Sequence, residues 1–271
     1  MINLDTDVTP TTGWESMTTV EGPDATAPRG ADLRSAIRAA IGGTGLTMQF
    51  QPIFQLGNWL VGDRDPVGYE ALARFELPIP TNVWFQEAVR MGLGIELELA
   101  ALRVAVSHLD DIPPGCYLTV NVSPQAVESL PFWNVFSSLS SGRIRIEISE
   151  EAVIDDYEQF RTTLLQLQRR GLRVWIDDVG AGLASLKHLI LLPHDTIKLD
   201  IDVVRGVDRD PNRQAMVTAL VALAKASQTN VVAEGIETAA ELVTLVDLGV
   251  AYGQGYYMGR PAPLGRTSEM I

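Results

Sequence analysis

Residues 174–178, Val174-Trp175-Ile176-Asp177-Asp178, form a short β-branched and aromatic run that ends in two acids. The same shape recurs in Val67-Gly68-Tyr69-Glu70, Leu118-Thr119-Val120-Asn121, Ile144-Arg145-Ile146-Glu147, Thr196-Ile197-Lys198-Leu199-Asp200, Val231-Val232-Ala233-Glu234 and, weakly, Tyr252-Gly253-Gln254. Each run reads as a buried strand, and each carries its polar group late.

Working outward from these runs, strands are expected over 46–54, 67–73, 117–122, 143–149, 173–178, 195–200, 230–234 and, weakly, 250–254. In the segments 95–109, 155–170, 210–227 and 238–248, apolar residues recur three and four positions apart, as in helices that cover a parallel sheet. A barrel and a doubly wound sheet both fit that alternation. Eight strands in about 225 residues match the usual size of a barrel. The glycine-rich fingerprint of a dinucleotide-binding sheet does not follow the first strand; Gly42-Gly43-Thr44-Gly45 is only a helix stop and turn. The expected fold is therefore α/β, a TIM-like (β/α)8 barrel.

Residues 1–30, rich in Thr, Pro, Gly and Asp without an apolar period, read as a disordered N-terminal tail, so the folded domain is expected over 31–271. Asp32 is placed to cap a short helix with Leu33, Ile37 and Ile41 on one face. The segment 76–94, with Pro78, Pro80, Trp84 and Phe85, reads as an insertion or as part of a helical lobe.

The chain has 34 acidic against 21 basic residues, a formal charge of -13, which argues against non-specific attraction to nucleic acid or to an anionic membrane. Its one cysteine, Cys116, has no partner for an internal disulfide and reads as a small buried residue before a strand. The N-terminus carries Asp5 and Asp7 in place of a basic region, and apolar stretches such as 216–224 fall short of a bilayer span. A cytoplasmic location is the expectation.

In a parallel barrel the C-terminal strand ends meet at one rim. Glu70, Glu147, Asp177, Asp178 and Glu234 would then crowd one mouth, where each close like-charge pair costs about 4 kcal/mol at an effective dielectric near 20. Raised pKa values could neutralise some of them, but oxygen ligands from Asp, Glu and Asn also suit Mg²⁺, Mn²⁺ or Ca²⁺. Metal binding is the favoured reading, since one of the adjacent acids Asp177 and Asp178 could bridge two cations while its neighbour holds the second. Singly, an acid at a strand end is usually a helix cap or a solvated loop residue; the repeated pattern argues otherwise.

Lys198 is the cation of the set, placed to hold an attacking water, take its proton, or stabilise phosphoryl oxygens. Asp200 shares its face by alternation and could orient it. Arg74 is a candidate phosphate clamp. His108, His188 and His194 lack metal-ligand spacing, and the sequence shows no nucleophile elbow, phosphate-binding loop or Cys–His pair. Metal-activated water is left as the nucleophile.

These residues stand within an ordered series: Gln51-Pro52-Ile53, Glu70-Ala71-Leu72, Asn121-Val122-Ser123-Pro124, Glu147-Ile148-Ser149-Glu150, Asp177-Asp178-Val179-Gly180, Lys198-Leu199-Asp200, Ala233-Glu234-Gly235-Ile236-Glu237-Thr238 and Gln254-Gly255-Tyr256-Tyr257. Over roughly residues 31–263 the chain resembles the EAL family of cyclic di-GMP phosphodiesterases. The resemblance implies a modified barrel whose first strand runs opposite to its neighbours. It implies hydrolysis of cyclic di-GMP to linear pGpG with two Mg²⁺ or Mn²⁺ ions, Ca²⁺ being expected to bind and inhibit. Glu70, Asn121, Glu147 and Asp177 would hold one metal, and Asp177, Asp178 and Glu234 the other. Lys198, Glu70 and Glu234 would carry catalysis. Gln254 would hold water on the metal, or substrate; Gln51 would contact a guanine; Leu72 and Arg74 would touch the substrate backbone. Glu150 would brace the loop after the Asp pair, with Glu237 nearby, and a homodimer is implied.

The chain departs from the family in that loop, with Val179 for the usual Phe and Leu183-Ala184 for the usual Tyr-Ser. These changes keep open a catalytically weak or inactive domain that senses cyclic di-GMP or binds another protein. The sequence names no upstream sensor or partner.

Overall fold

A computed structural model describes residues 30–136, 141–180 and 185–265. The tail expected over 1–30 lies outside the described residues except for Gly30, as do Leu183 and Ala184. Eight strands close a barrel in sequence order: β1 (Leu46–Gln55), β2 (Gly68–Phe75), β3 (Tyr117–Asn121), β4 (Ile144–Ser149), β5 (Arg173–Val179), β6 (Thr196–Leu199), β7 (Asn230–Ala233) and β8 (Tyr252–Gly253). β1 is antiparallel to β2 and β8, and every other neighbouring pair is parallel. The (β/α)8-like barrel with its reversed first strand is therefore the fold.

The helices form where the spacing predicts them, at Gly94–Ser107, Tyr157–Arg169, Pro211–Ser227 and Ala239–Asp247. Their starts are chemically marked. Asp156 accepts two backbone N–H groups and Asp210 one at a first turn, and Thr238 with Glu241 closes a capping box. Asp32 is a correction: the first helix is Gly30–Ile41, so Asp32 lies inside its first turn, where an acid faces the positive end of the helix dipole rather than capping it. The segment 76–94 contains helix Thr81–Arg90, which packs with Gly30–Ile41 and Gly94–Ser107 as a helical lobe. Phe75 stacks on the buried Trp84 there, with ring centroids 4.1 Å apart.

Alternation divides the core in two. Outward residues such as Ile146, Val174, Ile176, Ile197 and Val231 pack under the helices in one large cluster, while Ile53, Trp175 and Val232 form a small separate cluster within the barrel. Above that inner layer the inward positions turn polar. Cys116 is buried just before β3, its thiol 3.0 Å from the Pro66 carbonyl.

Candidate metal and phosphodiester site

The carboxylates of Glu70, Glu147 and Asp177 offer oxygens that lie within 4.8 Å of one another, and Asp177, Asp178 and Glu234 form a second group on the same criterion. Asp177 belongs to both. At their centre, Lys198 Nζ stands 2.5 Å from Glu234 Oε1, 3.0 Å from Asp177 Oδ1, 3.1 Å from Glu147 Oε2 and 3.7 Å from Glu70 Oε2. The lysine is completely buried, and Glu147 is 1% exposed.

A local irregularity brings the two adjacent aspartates together. Neighbours in a regular strand face opposite sides. Between Ile176 and Val179 the register of β5 against β6 shifts, so that three steps on β5 match two on β6. Asp178 takes a left-handed backbone, φ 59°, which Asp tolerates better than most residues. This bulge lets both carboxylates reach the mouth. The following Gly180, at φ 109°, donates its N–H to Glu150 Oε2 at 2.9 Å.

Amide side chains complete the rim. Asn121 Nδ2 donates to Glu70 Oε1 at 3.1 Å, and Gln254 Nε2 donates to Glu70 Oε2 at 2.5 Å and to Glu234 Oε1 at 3.3 Å. Gln51, directly across from Glu70 in the β1–β2 register, donates to the Gly259 carbonyl at 3.1 Å. Leu72 is buried one pleat further along β2, opposite Gln49. Arg74 is half-buried and donates to Gln49 Oε1 at 2.8 Å and to the Ala73 carbonyl at 2.9 Å.

Asp200 and Glu237 have hydrogen-bond partners outside this group. The buried Asp200 carboxylate caps the helix Ile201–Val204 by accepting the Asp202 N–H at 2.7 Å. Glu237 pairs with Arg205 at 2.7 Å. The histidines stand apart as well: His108 meets Asp111, His194 meets the Leu192 carbonyl, and His188 packs on Tyr157.

Burial pushes Glu147, Asp177 and Glu234 above the usual carboxylate range, against the opposing pull of Lys198. For Lys198, burial alone lowers the pKa, but Asp177, Glu147, Glu234 and Glu70 together outweigh it and hold the ammonium well above its usual value. One buried cation faces four carboxylates, and Oε1 of Glu147 and Oε1 of Gln254 have no hydrogen-bond donor among the described residues. An all-oxygen set short of positive charge and of donors fits hard divalent cations.

Over residues 34–261 the chain matches the family model described as the EAL domain. The chain belongs to the EAL domain family. An uncharacterized signaling protein of Caulobacter vibrioides is 31% identical over 243 residues, 86% of this chain and 29% of that protein. The bifunctional diguanylate cyclase/cyclic di-GMP phosphodiesterase MucR of Pseudomonas aeruginosa is 29% identical over 254 residues, 89% of this chain and 36% of that protein. The solved PaMucR phosphodiesterase in its c-di-GMP complex matches this EAL domain with a TM-score of 0.75 at 28% identity, covering 86% of this chain and 98% of that one. Klebsiella pneumoniae BlrP1, solved as a manganese/cy-diGMP complex, matches with a TM-score of 0.70 at 25% identity, covering 81% of this chain and 57% of that one. The chain spans about a third of the length of the curated relatives it matches.

Two supporting acids of this EAL domain escape the reading of strand ends. Glu98, on helix Gly94–Ser107, is 7% exposed and accepts the Ser123 N–H at 2.9 Å, two residues past Asn121. Burial raises its pKa to about 7. Its place on the apolar face, four residues before Leu102, is the signal that could have found it. Glu241 is 2% exposed and accepts N–H groups from Gly206, Glu237 and Thr238, tying the turn after Glu234 to the turn after the helix Ile201–Val204. Its signal is the Thr238-to-Glu241 spacing of a capping box. Among the described residues, no helix is long and apolar enough to cross a membrane.

Proposed function

We propose that this EAL domain hydrolyses one phosphodiester of cyclic di-GMP to give linear pGpG, using two Mg²⁺ or Mn²⁺ ions. The observation that carries the reading is the pair of three-acid groups sharing Asp177 around the buried Lys198. Glu70, Asn121, Glu147 and Asp177 would hold one ion, and Asp177, Asp178 and Glu234 the other. When bound, the ions supply the positive charge that makes water a nucleophile near neutral pH and stabilises the phosphoryl oxygens. Every other role falls to the chain. Lys198 Nζ, kept protonated by its carboxylate neighbours, orients the attacking water and donates to developing negative charge. Glu234, half-buried at the rim, would take the water's proton. Gln254 fixes Glu70 and Glu234 relative to each other. Gln51 would meet a guanine edge, and Leu72 and Arg74 the substrate backbone.

The relatives support the ligand and the ion: PaMucR was solved with c-di-GMP and BlrP1 with manganese and cy-diGMP. A homodimer belongs to the same proposal, as does a domain covering residues 31–271. Incubation of the pure protein with cyclic di-GMP and Mn²⁺ or Mg²⁺, with chromatography for pGpG, tests the activity. Turnover that disappears in Glu70→Gln with folding intact supports the enzyme. Tight retention of unreacted ligand without turnover refutes it and assigns a sensor, the role that the altered loop at Val179 would favour.

A further inference from the structure

The opposite end of the barrel, below the acidic layer, opens into a cavity of about 480 Å³, a volume in the range of small-molecule sites, roughly 300–1,000 Å³. Its walls include Tyr117, Arg145, Arg173, Trp175, Thr196 and Asn230. Several of these stand one pleat beneath a member of the upper site: Arg145 two residues before Glu147, Trp175 two before Asp177, and Thr196 two before Lys198.

The charge balance of this cavity is the reverse of the chain's. Asp195 is the one acid among its lining residues, and that acid is fully engaged. Its Oδ1 accepts Arg173 Nη1 at 2.8 Å, and its Oδ2 accepts Gln168 Nε2 at 3.1 Å and the Val174 N–H at 2.9 Å. Arg145 has no carboxylate partner among the described residues. Its Nη1 donates to the carbonyls of Gly142 at 2.9 Å and Ile144 at 3.2 Å, and its guanidinium lies 5.0 Å from the Tyr117 ring centroid. Its Nε and Nη2 have no hydrogen-bond acceptor among the described residues. Burial works most strongly against its charge and Arg173 adds repulsion from the next strand, and the favourable pull of Tyr117 and the more distant Asp195 does not offset them. In a protein of formal charge -13, this is a half-buried cation with no carboxylate at ion-pair distance among the described residues, on the wall of a polar cavity.

We propose that the lower cavity binds a phosphate group, either as inorganic phosphate or as an organic phosphate monoester. The planar guanidinium of Arg145 matches two phosphate oxygens, and Thr196 and Asn230, which line the same space, carry groups able to hydrogen-bond a phosphate. This site is separate from the upper mouth and does not depend on turnover there.

The test is calorimetry with phosphorus NMR on the full chain in excess EDTA, so that cations cannot carry phosphate to the upper mouth, whose acids repel it. One arm titrates inorganic phosphate and the other ribose 5-phosphate; whichever binds more tightly identifies the source. The expected result is one saturable site per chain at millimolar concentrations or below. Arg145→Gln should weaken it about tenfold or more, equivalent to about 1.4 kcal/mol, and Arg145→Lys should recover part of the loss. If Arg145→Gln fails to fold by circular dichroism, Asn230→Leu narrows the cavity with Arg145 in place and should also weaken binding. Absence of saturable binding by both probes, or undiminished binding in the folded variant, overturns the proposal.

Discussion

Lys198→Met replaces the buried ammonium with an apolar chain of similar length and leaves the carboxylates around it facing one another. Four of them place oxygens 2.5–3.7 Å from Nζ. A unit pair about 3 Å apart is worth about 5 kcal/mol at an effective dielectric near 20, but desolvation and mutual repulsion of the acids cancel much of the sum. Removing one partner of a buried ion pair costs about 3–5 kcal/mol, and that is the loss expected in EDTA at neutral pH. The acids have a way to limit it. Burial already raises Glu147, Asp177 and Glu234, and without Lys198 to hold them down they rise further and bind protons in the folded state. A group with a raised folded pKa contributes stability that is present below its unfolded value and lost as pH rises through the folded one. The deficit of the variant should therefore shrink toward about pH 5, where the unfolded acids still titrate near 4. It should also shrink on adding Mn²⁺, which restores positive charge and stabilises the form that binds it. Urea unfolding followed by circular dichroism, with and without Mn²⁺ at both pH values, measures each effect. A neutral-pH loss below about 1 kcal/mol, or a loss that does not change with pH, would refute the account of Lys198 as the counter-ion of this cluster.

Glu98→Gln mimics the neutral acid. Because the folded Glu98 pKa is about 7 against 4.5 when unperturbed, wild type should lose stability relative to the variant as pH rises from 4.5 through 7, on the order of 3 kcal/mol in all; parallel stability curves would contradict this. A Cβ on Gly255 would lie 2.2 Å from both the backbone N and O of Ile236. Gly255→Ala should therefore displace neighbouring Gln254, cost about 1–3 kcal/mol and weaken Mn²⁺ binding measured by calorimetry, whereas unchanged metal affinity would separate that turn from the site. Ca²⁺ should raise the melting temperature yet fail to support pGpG formation, since its looser coordination positions a water poorly; equal rates with Ca²⁺ and Mg²⁺ would dismiss that idea.

The strands and the main helices were legible because their signals are local. Alternation and 3.6-residue spacing recur within a few positions, so Val174-Trp175-Ile176-Asp177 shows as a buried strand before anything is known of its neighbours. The convergence of Glu70, Glu147, Asp177 and Glu234 followed from one further rule, that parallel barrel strands end at a common rim. Short elements were less visible: Leu56–Leu60 and Ile201–Val204 are too brief to establish a helical period.

Tertiary structure decided the rest, because those features depend on partners distant in sequence. The reversed direction of β1 has no trace in its own residues and emerged only through resemblance. Simple alternation would send Asp177 and Asp178 to opposite faces; the bulge against β6 and the left-handed Asp178 bring both to the mouth. Asp200 shares the strand run of Lys198 in sequence, yet its carboxylate is used to start the next helix. Only barrel closure shows that Arg145 and Asp195 line one cavity and that the Asp195 carboxylate is taken up by Arg173, Gln168 and the Val174 N–H. Periodicity determines which way a side chain points from its own backbone, but its charge state and partners are set by what the closed barrel places opposite it.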